Sequence, residues 1–165
     1  MSARLEFPDL IAEFGERRGY EVEADDEGAS VLLDIGDTTH SVYVHKKTDR
    51  VGREFVSFWV ELRWQKKQYV EDVLYFLDFL STGSTEGRFY TVKRTNPISH
   101  GITYEYTQLL AGVTDYDSLL ETALSFLGEE IANHFPIIEL VVIGKLTYEQ
   151  ACKYCNILAQ HAGNA

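Results

Sequence analysis

The chain has 165 residues, 45% of them hydrophobic, and its 26 acidic side chains outnumber its 15 lysines and arginines to give a formal net charge of -11. This size and composition exclude a disordered chain and predict a single domain over residues 1–165, with its core at about 5–151. The negative charge repels phosphate backbones and anionic lipid surfaces, so nucleic acid and membranes are disfavoured as partners.

In this sequence we expect no signal for export. Its N-terminus has no long apolar core behind a basic start, and its longest apolar run, 136–143, contains Glu139 and is too short to cross a bilayer. Two cysteines are far fewer than a disulfide-stapled secreted domain needs. We therefore expect a cytoplasmic protein.

The N-terminal third predicts one helix followed by a meander of strands. The helix is indicated by apolar side chains that share one helical face before Gly19, namely Phe7, Leu10, Ile11 and Phe14. Beyond it, apolar and polar residues alternate in three short runs, at about 20–24, 31–35 and 42–44, with turn-forming sequences between them. Such short strands are typical of an antiparallel meander with one face packed on helices.

The stretch from Val56 to Leu80 predicts a fourth strand and a central helix. In the strand, every second residue is apolar and is expected to point inward: Val56, Phe58, Val60, Leu62 and Trp64. In the helix, apolar residues recur at three- and four-residue steps and predict a stripe that faces the sheet: Val70, Val73, Leu74, Leu77 and Leu80.

The second half predicts a hairpin and then a long helix. The runs 89–93 and 102–110 flank a turn-forming sequence, and Ser118 with Glu121 is a candidate capping box for a helix that reaches about Phe135. Residues 137–143 suit either a strand or a continued helix, because they follow a proline and are rich in β-branched side chains.

A final helix is predicted over 148–161, with a capping box formed by Thr147 and Gln150. The fold class that results is α+β: an antiparallel sheet, built from a meander and a hairpin, with helices packed on it. The order of elements is α-ββββ-α-ββ-α-α.

This order and several local strings resemble the YbjN-like family, whose fold is that of type III secretion chaperones. The resemblance runs from about Leu10 to Ala151 and includes a helix that ends in Gly19-Tyr20, the string EDVLYFLDFL, and Gly87-Arg88-Phe89 at the start of a strand. The most specific string is HFPIIELVVIGKLTYEQA, and it is this resemblance that favours a kinked helical continuation after the proline.

The resemblance implies a small non-enzymatic domain, often dimeric, used in protein binding, chaperoning or regulation. Members of the family often carry asparagines at the end of the central helix, where this chain has Ser81, Thr82 and Gly83. A role attached to those asparagines is therefore not carried over. The expected partners are a second copy of the chain and an unidentified protein.

The string CKYC is the clearest candidate for chemistry, since two thiolates at this spacing can share a metal or a redox cycle. Cys152 and Cys155 fall inside a predicted helix, with only His161 as a further ligand nearby. The five histidines are scattered without a ligand spacing, and no phosphate loop or nucleophile motif occurs. We predict no catalytic residue, metal or cofactor, and keep a metal shared between two subunits as the alternative for the cysteines.

Alternation along the strands predicts a set of large side chains on the face turned away from the helices: Leu32, Tyr43, Phe55 and Trp59. We interpret them as a dimer or partner-binding surface. Two alternatives remain open, namely that the C-terminal helices cover this face or that the four residues are scattered surface residues.

A second functional class is also open. A small-ligand sensor or an enzyme could have a pocket between the sheet and the central helix. Its polar groups would come from Tyr75, Tyr104 or Glu105.

Overall fold

A computed structural model describes residues 6–64, 69–83, 87–95 and 98–162. Within those ranges the chain forms four helices and six strands: α1 (Phe7–Arg18), β1 (Val22–Ala24), β2 (Gly28–Ile35), β3 (Thr38–Thr48), β4 (Glu54–Trp64), α2 (Val70–Gly83), β5 (Gly87–Thr95), β6 (Ile98–Leu109), α3 (Tyr116–Val142) and α4 (Tyr148–Ala162). The predicted α+β class and the order of elements are confirmed. The predicted start of the core at residue 5, the inward side chain of Trp64 and the side chains of His100 and His161 lie outside the described part of the chain.

The six strands form one antiparallel sheet in the order β1-β2-β3-β4-β6-β5. The register of the meander pairs Val42 with both Val31 and Val60, and all three side chains are buried. It also pairs Tyr43 with Trp59, which therefore share the opposite face. The predicted alternation is thus confirmed for β2, β3 and β4 as far as Val60.

Contacts along the chain form two compact units. The first consists of Met1–Glu61 and Tyr104–Ile131. Its core includes Phe14 from α1, Phe58 from β4 and Leu127 from α3. Helix α1 packs so closely on β1 that a Cβ atom on Gly15 would overlap the Val22 side chain.

The second unit consists of Leu62–Thr103 and Ala132–Ala165. Helices α2 and α4 are neighbours in it, because the backbone N–H of Tyr148 donates to the Asp72 carboxylate at 3.2 Å and the rings of Tyr75 and Tyr148 lie 5.7 Å apart. Buried side chains form its core: Val73, Phe76, Leu77, Leu80, Phe89, Phe135, Ile138, Val141 and Ala151.

Helix α3 continues past Pro136 and ends at Val142, so the helical choice for residues 137–143 is confirmed. Proline has no backbone N–H, and the carbonyl of Ala132 therefore loses its helical hydrogen bond. The predicted capping box at Ser118 is wrong. The helix begins two residues earlier, where the Asp115 carboxylate accepts the Ser118 N–H at 3.0 Å.

The connection from α3 to α4 is defined by two local features. Gly144 has φ 72°, a left-handed conformation, and a Cβ atom at this position would overlap the Tyr69 ring. The predicted capping box of α4 is confirmed, since the Thr147 N–H donates to Gln150 Oε1 at 2.9 Å and the Gln150 N–H donates to Thr147 Oγ1 at 3.3 Å.

Candidate interaction surfaces

The four residues predicted as a binding surface all lie on the face of the sheet that carries Tyr43. Trp59 is 37% exposed, and Leu32, Tyr43 and Phe55 are half-buried. Strand register explains the shared face, because Tyr43 pairs with Trp59, Phe55 precedes Trp59 by four residues on β4, and Leu32 pairs with Ser41 on β3.

Tyr43 and Trp59 belong to an aromatic cluster that also includes His45. The ring centroids of Tyr43 and Trp59 are 6.0 Å apart, and those of His45 and Trp59 are 4.6 Å apart in an edge-to-face arrangement. The Tyr43 hydroxyl donates to the Asp25 carboxylate, whose oxygens lie at 3.2 Å. This hydrogen bond fixes the Tyr43 ring at one side of the cluster.

A buried carboxylate anchors the cluster to the sheet. Glu105 is only 6% exposed, and its Oε1 accepts hydrogen bonds from Lys47 Nζ at 2.9 Å, Trp59 Nε1 at 3.2 Å and Ser57 Oγ at 3.3 Å. These hydrogen bonds offset the cost of burying the charged carboxylate. The Trp59 ring is therefore partly exposed to solvent while its indole N–H is bonded to a buried carboxylate.

His45 has an unusual environment in this cluster. Its Nδ1 is buried and has no hydrogen-bond partner among the described residues. Burial, and next the charge of Lys47, lower the pKa of His45, while Glu105 and Glu27 act in the opposite direction. The ring is consequently neutral at physiological pH.

Phe55 and Leu32 stand apart from the aromatic cluster. Phe55 lies under the Arg53 guanidinium, whose carbon is 5.7 Å from the ring centroid. Leu32 lines an open groove beside the outer edge of β2. The prediction grouped all four residues correctly by face, and only Tyr43 and Trp59 belong to the aromatic cluster.

Helices α2 and α4 expose an apolar surface that the sequence patterns did not predict. Among the described residues, five large apolar side chains on these helices are 43–54% exposed: Leu74, Tyr75, Tyr154, Ile157 and Leu158. The predicted inward stripe of α2 is therefore wrong at Leu74. The sequence does indicate that Leu74 is exposed, since one helical face mixes apolar and acidic groups: Glu71, Leu74, Tyr75 and Asp78.

Helix α4 borders two open depressions in the second unit. One, of about 510 Å³, is lined by Tyr148, Glu149, Cys152, Lys153, Asn156 and Ile157. The other, of about 390 Å³, is lined by Asn133, His134, Ile137, Cys155, Leu158 and Ala159. The first is lined by residues of α4 alone, and the second lies between α4 and α3.

Cys152 and Cys155 are free and half-buried on this helix. Burial raises the pKa of both thiols, and for Cys152 a hydrogen bond with Tyr148 acts in the opposite direction. Both are therefore protonated at neutral pH. In the described part of the chain, no group of three or more His, Cys, Asp or Glu side chains is placed to hold a metal ion.

The three residues suggested as polar groups for a pocket have different surroundings. Tyr104 is fully buried in the core, and Glu105, the next residue on β6, points to the opposite face. Tyr75 is exposed and packs against Tyr148.

Comparison with known proteins supports the fold. No protein-family model matches the chain, and no curated protein matches it. Among solved structures, it is similar to the crystal structure of YbjN from E. coli, described there as a candidate transcription regulator, with 9% sequence identity and a TM-score of 0.54. The similarity covers 83% of this chain and 90% of that chain.

At this identity the similarity concerns the fold and not the role. The predicted resemblance is confirmed at the level of structure: the chain has a YbjN-like fold.

No helix among residues 6–64, 69–83, 87–95 and 98–162 is long and apolar enough to cross a membrane.

Proposed function

We propose that the chain is a non-catalytic, cytoplasmic protein-interaction domain, chaperone-like or regulatory, that acts as a homodimer. The observation that carries this proposal is the apolar surface on α2 and α4. Leu74, Tyr75, Tyr154, Ile157 and Leu158 are all exposed on two neighbouring helices of the second unit. Grouped large apolar side chains on a protein surface mark interaction sites.

The form of α4 favours a second copy as the occupant of this surface. Helices pack by fitting the side chains of one between those of the other, and α4 exposes three large apolar side chains at three- and four-residue spacing, Tyr154, Ile157 and Leu158. A two-fold interface brings the same patch of each subunit together, so it needs a self-complementary surface of this kind. Helix α4 also carries one acidic and one basic residue, Glu149 and Lys153, within a chain of net charge -11. Two copies can therefore approach along α4 without strong repulsion.

The aromatic cluster supports a separate protein-binding face. Tyr43 and Trp59 are held in place by Asp25 and Glu105, so little side-chain entropy is lost when a partner covers them. Leu32 and Phe55 extend this face. We propose this surface for the protein partner.

The dimer is tested by replacing Ile157 with Asp and measuring mass by sedimentation over a range of concentrations. The expected result is a wild-type dimer and an Ile157→Asp monomer, because a buried unpaired charge opposes association. Val51 is 75% exposed in the first unit, so Val51→Asp is the matched control and should leave the dimer intact. A wild-type protein that stays monomeric at all concentrations contradicts the homodimer.

The partner face is tested by affinity capture from the native host with Trp59→Glu and Val51→Glu. We expect the first variant to lose proteins that the wild type and the second variant retain. Circular dichroism of each variant separates lost binding from lost folding. Equal capture by a folded Trp59→Glu variant removes this face from the proposal.

A further inference from the structure

The outer edge of β2 extends beyond its neighbour. Strand β1 has three residues, and its pairing with β2 extends from the pair Ala24 and Ala29 to the pair Val22 and Val31. One more hydrogen bond lies beyond the last pair, from the Leu32 N–H to the Glu21 carbonyl at 3.0 Å. The chain turns away at Gly19, which has φ 78° and donates its N–H to the Gly15 carbonyl at 2.8 Å. Residues 33–35 of β2 therefore have no described strand on their outer side.

Alternation shows which backbone groups face that side. The Gly28 carbonyl and the Leu32 N–H both bond toward β1, so the even-numbered residues of β2 direct their backbone groups outward. Asp34 follows the same alternation. Its N–H and C=O point to the open edge, and no strand of the described chain pairs with them.

A groove of about 770 Å³ lies along this edge. Its walls come from β2, β3 and α3 and from the segment that links α1 to β1: Gly19, Tyr20, Glu21, Leu32, Leu33, Asp34, Ile35, Thr39, Leu124, Ser125 and Gly128. This volume falls within the range of ligand pockets, about 300–1,000 Å³. The groove combines unpaired backbone with room for side chains.

Gly128 provides part of that room. It lies inside α3, where glycine is less stable than alanine, and no heavy atom lies within 4 Å of the position that its Cβ would occupy. A larger side chain at this position would enter the groove without disturbing the core. The helix thus has a gap that faces the open strand edge.

The charge of the groove is acidic. Glu21 and Asp34 line it, and its lining contains no lysine or arginine. The nearest basic residues in sequence are already paired, Arg17 with Asp117 at 2.7 Å and Arg18 with Glu121 at 3.3 Å. A basic group is therefore the complementary occupant.

We propose that this groove binds an extended segment of a partner protein, which adds to β2 as a short strand. Its backbone bonds to Asp34, its apolar side chains lie beside Leu124 and Gly128, and its alternate, basic side chains face Glu21 and Asp34. The inference rests on the proposed function, since it specifies what kind of protein segment the chain takes.

The probe is a short synthetic peptide of alternating lysine and valine, titrated by calorimetry and by the amide NMR signals of Asp34. We expect saturable binding with a shift of the Asp34 signal. A peptide with glutamate in place of lysine, and one whose outward amides are N-methylated, should both bind at least about tenfold more weakly, or about 1.4 kcal/mol. Gly128→Leu should weaken the lysine peptide by a similar factor. Gly128→Ala should keep the affinity and raise the midpoint of thermal unfolding.

The inference is overturned by any of three outcomes: no saturable binding, equal binding of the N-methylated or glutamate peptide, or full affinity in a folded Gly128→Leu variant. A Gly128→Leu variant that changes the solution mass would place a second copy in the groove and also overturn it. The dimer formed through α4 is measured separately with Ile157→Asp. If the peptide fails to bind a protein that still forms the dimer, the proposed binding in the groove is wrong and the proposed function is unaffected.

Discussion

At the scale of single residues, Glu105 supports the aromatic cluster. Lys47, Trp59 and Ser57 donate to its carboxylate, and Ser57 is fully buried. Glu105→Ala leaves these donors without that acceptor, and we expect a loss of about 1–3 kcal/mol in unfolding free energy, measured with urea. Glu54→Ala removes a surface carboxylate that pairs with Lys46 and should cost about 0–1 kcal/mol. Equal losses in the two variants would show that the buried acceptor has no special role.

His45 gives the cluster a dependence on pH. Its pKa is lowered in the folded state, so the unfolded chain binds the proton more tightly, and unfolding free energy falls as pH drops below about 6.5 toward the folded pKa. Asp25, Asp49 and Asp117 also have lowered pKa values, but their contribution is lost only below about pH 4. We expect His45→Phe to abolish the decrease that begins below about pH 6.5, as followed by urea unfolding at each pH. An unchanged profile would assign it to another group.

At the scale of elements, the end of α3 depends on Gly144. Its left-handed backbone and its contact with the Tyr69 ring both oppose a side chain, so Gly144→Ala should destabilise the protein by about 1–3 kcal/mol. Gly83, at the end of α2, has no positive φ, and a Cβ atom added there would meet no heavy atom within 4 Å. Gly83→Ala is therefore the control and should be neutral or stabilising in thermal unfolding. A neutral Gly144→Ala would mean that the Tyr69 ring moves aside at no cost.

The elements that sequence patterns predicted best are those in which one local signal decides. Alternation in β3 and β4 predicted which face holds Val42 and which holds Tyr43, because one face of each strand is buried. The patterns failed where packing from distant parts of the chain decides. Leu74 fits the apolar stripe of α2 by spacing but is exposed, and Glu105 is polar by type but is buried under Trp59. Residues 137–143 were ambiguous, and family resemblance, not periodicity, favoured a helix there.

At the scale of the whole molecule, net charge limits the partners. YbjN is described as a candidate transcription regulator, yet this chain carries a net charge of -11. Affinity for DNA comes largely from basic contacts with phosphates, so we expect no retardation of short duplex DNA in a gel-shift assay at physiological salt. Binding that weakens steeply as salt rises would reveal a basic surface and contradict this expectation.

The proline inside α3 has a consequence for motion. It removes the hydrogen bond to the Ala132 carbonyl, and Ala132 is also the first residue of α3 that belongs to the second compact unit. The helix therefore lacks one backbone hydrogen bond at the residue where the division between the two units falls. In hydrogen exchange, we expect the amides on the two sides of this point to open as separate cooperative groups with different protection factors. The two parts of one continuous helix would then differ in their free energy of local opening.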